Sequence, residues 1–207
     1  MHQQRRLAEA VPLYEKAIAL NAGDADAFQL RGLALFELGQ FSAAADSYRA
    51  ALKLVPTYAV AHNGLGLALT HIGDSKAGFE SYNAAIAADP KFASPYINRS
   101  LLLRAWGRLE EALQSLDMAV ALQPNNPNAH GNRGTALSEL NRPAEAIASF
   151  DTALRLNPGY AFIAGTRIFN KTIICDWTNL DREIAELVAQ IERGFPASPL
   201  NLSFGLC

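Results

Sequence analysis

Histidine and cysteine, which most often supply bases, nucleophiles and metal ligands near neutral pH, are few in this sequence. Histidines stand at His2, His62, His71 and His130, and thiols at Cys175 and Cys207. Metal sites and Cys–His pairs need such groups at short, characteristic spacings. No CxxC, HExxH, GxSxG or phosphate-loop pattern occurs. The expectation is therefore no catalytic residue, no metal ligand and no cofactor, so this chain alone is not an enzyme. Three tripeptides, beginning at Asn98, Asn170 and Asn201, match a glycosylation acceptor. Without a signal peptide they carry no weight.

Composition points the same way. Of 207 residues, 50% are apolar and 18% charged, with a net charge of −2 and no basic stripe. Nucleic acid is an unexpected partner for such a surface. No apolar run reaches signal-peptide or membrane-span length, so neither is expected and a cytoplasmic location follows. The two cysteines read as incidental or buried thiols of a reducing compartment.

The elements that must position any functional residue come from a repeat. Pro56, Pro90, Pro124 and Pro158 are spaced by 34 residues, and so are Ala51, Ala85, Ala119 and Ala153. Tyr48, Tyr82, Leu116 and Phe150 form a bulky column; Gly32, Gly66, Ser100 and Gly134 form a small one. Each period reads as two helices. In the first, Phe28, Leu35 and Leu38 fall at helical spacing before Gly39, and a second helix runs to Pro56. Counting repeat positions from Ala25, the Gly at position 8 and the Ala at position 20 are expected to let the two helices approach closely. One pair cannot bury its own apolar face, so pairs must stack.

These columns resemble the tetratricopeptide repeat. The match runs over residues 25–58, 59–92, 93–126 and 127–160. His62 and His130 stand where that family usually has an aromatic; both are expected to be satisfied packing residues, while His71 lies near a first-helix end that could face the groove. The resemblance implies an all-α fold: a right-handed superhelical solenoid of antiparallel helix pairs. Residues 1–24 carry the register of a second helix (Leu7, Ala10, Tyr14 and Ala17), as in a truncated preceding repeat.

The resemblance also implies a concave groove lined by first helices. Here it gives Gln29, Leu33, Phe36, Asn63, Leu67, Asn98, Leu101, Asn132 and Thr135, with Leu30 and Gly64 beside them. Amides next to aliphatics suit the backbone of an extended peptide, since an amide both donates and accepts. The Lys and Asn clamp with which related domains hold a C-terminal carboxylate is absent. The expected ligand is a protein or peptide.

Past Tyr160 the pattern changes. Ile168 and Leu180 occupy positions of the Gly and the Ala. Residues 161–195 are expected to form a non-consensus helix pair, either a cap or a junction. A first helix would span 161–174. A second would start at Thr178 or Asn179 as N-cap, carry Leu180, Ile184, Leu187, Val188 and Ile191 on one stripe, and stop at Gly194. Residues 196–207 read as an extended segment. Cys175-Asp176-Trp177 with the later Pro196-Ala197-Ser198-Pro199 is similar to the post-repeat region of bacterial proteins like the O-linked N-acetylglucosamine transferases. That resemblance implies an acceptor-recruiting arm of a longer enzyme; from the residue types themselves, Trp177 is expected to anchor the joint by burial and Asp176 to cap or pair nearby. The other reading is a free-standing adaptor that self-associates through open repeat ends.

Overall fold

A computed structural model describes residues 2–193, with side chains from Arg6 onward. The stop at Gly194 and the segment 196–207 lie outside the described residues. Among these, eleven α-helices and no strand occur. The chain divides into two compact bodies, Met1–Leu102 and the residues from Leu103 onward.

The N-terminal body holds α1 (His2–Leu20), α2 (Ala25–Glu37), α3 (Phe41–Leu54), α4 (Ala59–Ile72), α5 (Ser75–Ala88) and most of α6 (Ala93–Ala105). Caps and turns set these bounds. Asp24 accepts from the Ala27 N–H at 3.0 Å, and Asp74 from that of Ala77 at 3.1 Å. Gly39 and Gly73 leave their helices at φ 75° and 99°, a left-handed turn that costs glycine nothing. The core joins Leu35, Ala44, Tyr48, Ala51, Leu65 and Leu69 across consecutive helix pairs. Such burial is the main term stabilising a stack whose single pairs are not self-sufficient.

Gly32 is small for a reason that the sequence pattern shows only in part. A Cβ there would meet the Tyr48 ring first, at 2.8 Å. Gly64, from the next pair, would meet the same ring at 2.5 Å. Tyr48 is thus held between two glycines, and Gly64 is a packing residue, not a lining one. At Gly66 the contact with position 20 is present as well, the Gly78 carbonyl at 3.1 Å.

The C-terminal body holds α7 (Leu109–Leu122), α8 (Pro127–Glu139), α9 (Pro143–Leu156), α10 (Ala161–Ile173) and α11 (Leu180–Glu192). Pro127 and Pro143 sit in first turns, where no donor is lost. The Phe150 ring lies on Gly134 as Tyr82 lies on Gly66. Phe150, Leu137, Ala146 and Ala153 are fully buried, with Leu113 and Ile163 against them.

Candidate functional site

Two surfaces concern function: the residues expected to line a groove, and the last helix pair. In the N-terminal body Asn98 Nδ2 donates to Asn63 Oδ1 at 2.9 Å, joining α6 to α4. Asn63 and Gln29 are buried at 9% and 8% exposure, so they present little beyond a polar edge. Leu33 and Leu101 are exposed at 44% each, which leaves apolar surface beside the amide pair. Leu67 is half-buried. Phe36 packs edge-on against Phe41 and His71, and His71 stacks on Phe41 with centroids 4.5 Å apart. His71 is exposed. In the C-terminal body Asn132 and Thr135 are half-buried, and the Thr135 hydroxyl donates to the Gly131 carbonyl at 3.0 Å.

The histidine column has a specific task. His62 Nε2 lies 2.8 Å from the Pro56 carbonyl and His130 Nε2 lies 2.8 Å from that of Pro124. The Tyr96 hydroxyl donates to the Pro90 carbonyl at 3.2 Å. Each ring therefore donates to the proline carbonyl six residues before it, and the donating tautomer follows. At the next repeat Ala164 takes the ring's place, and Gln190 of α11 reaches the Pro158 carbonyl at 3.4 Å.

A second column was not legible as such in the residue types. Arg31 bonds Ser47 at 3.0 Å and Arg99 bonds Asn83 at 3.0 Å. Arg133 bonds both Asp117 (2.6 Å) and Ser149 (2.7 Å). Arg167 bonds Asp151 and Glu183, the latter at 2.8 Å. Each partner is 16 residues before or after its arginine. Burial works against the Arg167 charge, but the bonds and attraction from Asp151 and Glu183 outweigh it and raise its pKa.

The last pair keeps this staple and changes the rest. α11 begins at Leu180, three positions later in the repeat than α9 does. Cys175 has φ 56° at the turn position that Gly39, Gly73, Gly107 and Asn141 hold with positive φ. Asn179 holds the N-cap position of α11 as expected, but its backbone is left-handed at φ 57° and its side chain makes no cap bond. Lys171 is 3% exposed and donates to the Thr178 carbonyl at 2.6 Å and to Glu183 at 3.1 Å. Asp176 Oδ1 accepts from the Thr178 N–H at 3.0 Å, and its carboxylate lies 3.7 Å from Lys171. The bonds from Thr178, and then the nearby Lys171 charge, hold the Asp176 carboxyl below the usual range. Asp176 thus shapes the turn as expected.

Trp177 does not anchor the joint. It is 54% exposed, whereas the aliphatic stem and ammonium of Lys171 are buried under the turn. Of the expected stripe, Leu187 is buried and joins Ala161 and Ile168, with Leu180 and Ile184 packed beside them. Val188 and Ile191 face outward at 47% and 41% exposure. Among the described residues no group of three His, Cys, Asp or Glu could hold a metal, and no helix is long and apolar enough to cross a membrane.

Comparisons with known proteins agree with this architecture. A TPR repeat model matches residues 32–73 and a tetratricopeptide repeat model matches residues 97–161. No curated protein matches the chain. Similar solved structures include MamA, 21% identical over 77% of this chain and 94% of that one, with a TM-score of 0.67. YrrB, a TPR protein with an unusual peptide-binding site, is 20% identical over 87% of this chain and 93% of its own, with a TM-score of 0.71. The Pseudomonas aeruginosa pilF structure is 27% identical over 80% and 75% of the two chains, with a TM-score of 0.73. Residues 32–73 and 97–161 of this all-α chain are tetratricopeptide repeats.

Proposed function

We propose that this chain is a protein-interaction scaffold that holds an extended polypeptide on the first-helix face of its repeats, with repeat bounds at 25–58, 59–92, 93–126 and 127–160. The carrying observation is the Asn98–Asn63 bond at 2.9 Å. It fixes the half-buried Asn98 amide, whose carbonyl oxygen keeps hydrogen-bonding capacity for a peptide group, against the buried Asn63. Gln29, Leu33, Phe36, Leu67 and Leu101 complete that face on the N-terminal body; Asn132 and Thr135 belong to the corresponding face of the C-terminal one. YrrB supports the reading as a structure of similar fold with a peptide site.

The test uses a peptide selected from a displayed library against the full chain. Replacing Asn98→Ala together with Asn132→Ala should weaken its binding by about tenfold, a change of roughly 1.4 kcal/mol, with the thermal melt retained. Unchanged affinity would remove these amides from the site.

The similarity of Cys175-Asp176-Trp177 to the post-repeat region of protein O-glycosyltransferases supports a finer reading. In it the chain recruits acceptors for a parent enzyme that moves a sugar from a nucleotide donor to Ser or Thr hydroxyls. The turn-shaping geometry of Cys175 and Asp176 gives this motif a structural task, not a catalytic one. An antibody against the repeats would detect a native band far above 22.3 kDa in source cells if the parent exists. A band at that mass would favour the adaptor reading, for which the outward Val188 and Ile191 offer a self-association surface.

A further inference from the structure

The geometry points to a binding site in the C-terminal body for a small planar ring that carries a hydrogen-bond donor, of the phenol or imidazole class. A cleft of about 240 Å³ lies among α9, α10 and α11. Leu154, Ala164, Ile168 and Leu187 give it apolar walls, and Pro158 and Gln190 give it a polar end. A cavity of about 150 Å³ lined by aliphatic groups is enough to admit benzene.

The repeat itself says what is missing. At His62, Tyr96 and His130 a ring stands at this position and donates to the proline carbonyl six residues earlier. Ala164 removes the ring, and the carbonyl of Pro158 keeps only a long bond of 3.4 Å from Gln190 Nε2. The Gln190 Oε1 atom is buried and has no partner. A buried acceptor without a donor is costly, which leaves Gln190 Oε1 in want of one, and the exposed Pro158 carbonyl beside it is only weakly held, so this polar end favours an incoming N–H or O–H. Arg167 and Glu183 on the wall are already paired with each other at 2.8 Å, and the third charged wall residue, Glu186, faces Arg182 at 3.6 Å. The ring can come from a free small molecule or from a tyrosine or histidine side chain of a bound polypeptide. This inference does not depend on the peptide face proposed above, which lies on other residues.

The experiment is NMR titration of the full chain with p-cresol, 4-methylimidazole, toluene and N-acetyl-tyrosinamide, following the Gln190 side-chain amide and the Ala164 methyl. Cresol and methylimidazole should shift both signals and saturate, with toluene about tenfold weaker for want of a donor. Ala164→His and Ala164→Tyr, which restore the column's own ring, should abolish the shifts and raise the melting temperature. The two variants guard against one failing to fold. Saturation by N-acetyl-tyrosinamide as well would assign the site to a side chain; saturation by cresol and methylimidazole alone would assign it to a free ligand. No response to any probe, equal binding of toluene, or undiminished binding by the filled variants would overturn the proposal.

Discussion

The pairs α8–α9 and α10–α11 follow one another in the same body, and different forces close them. In α8–α9 the Phe150 ring rests where a Cβ on Gly134 would come within 2.5 Å of it, so contact is dry and close. In α10–α11 Ile168 replaces that glycine and Leu187 replaces the alanine of position 27, so the ring-on-glycine fit is unavailable. A buried lysine, two left-handed residues and a carboxylate fix the turn instead. Yet the arginine staple is common to both pairs. The apolar rule of the repeat is thus separable from its polar rule. Burial is non-directional and accepts new side chains, whereas a hydrogen-bonded turn has one geometry.

The sharpest way to break this contrast is at the bulky column. Phe150→Ala should cost about 3–5 kcal/mol, whereas Ile184→Ala, at the same position of the half-buried last pair, should cost about 1–2 kcal/mol. Equal losses in denaturant melts would mean that both pairs are held by the same packing. Lys171→Met removes the ammonium that α11 and its turn share. Glu183 keeps Arg167, so a loss of about 2–3 kcal/mol is expected, below the usual figure for an orphaned buried charge. Hydrogen exchange should show it first at residues 174–179. His130→Ala, which takes the ring from the exposed Pro124 carbonyl and leaves it to water, should cost about 1 kcal/mol. Cys175→Gly should instead stabilise the chain by about 1 kcal/mol, since glycine adopts the φ of 56° without a Cβ penalty. A neutral result there would show that the turn carries no strain. Trp177→Ala should change the melt least, by under about 0.5 kcal/mol, as for other exposed sites. A larger drop would restore the tryptophan as an anchor.

Much of this was legible in the residues. The spacing of the prolines and alanines places helices, because a stop signal and a small packing residue recur at fixed offsets. The histidines were readable as satisfied groups because they share a column with Tyr96. The glycine column was legible as close packing, but not its partner, since that depends on which face of the second helix turns inward. The last turn was misread for a related reason. Sequence alone ranks Trp177 as the best burial candidate, yet a neighbouring lysine with a long aliphatic stem fills the space and finds three oxygens there. Cys175 gave a missed clue: it continues the column of Gly39, Gly73, Gly107 and Asn141, all with positive φ. The amide pair of Asn63 and Asn98 stands at different repeat positions, and only the structure brings the two side chains to 2.9 Å.

The arginine staple also constrains how such a chain can change its length. Arg167 reaches back 16 residues to Asp151, and Arg133 reaches back 16 to Asp117. Excise residues 127–160 as one block, and the incoming Arg167 finds Asp117 waiting in the vacated place. Excise half a block, and either Arg167 loses its acid 16 residues back or Asp117 loses its arginine. Removal of 127–160 as a whole therefore keeps this ion pairing in register, and removal of a fraction of it does not.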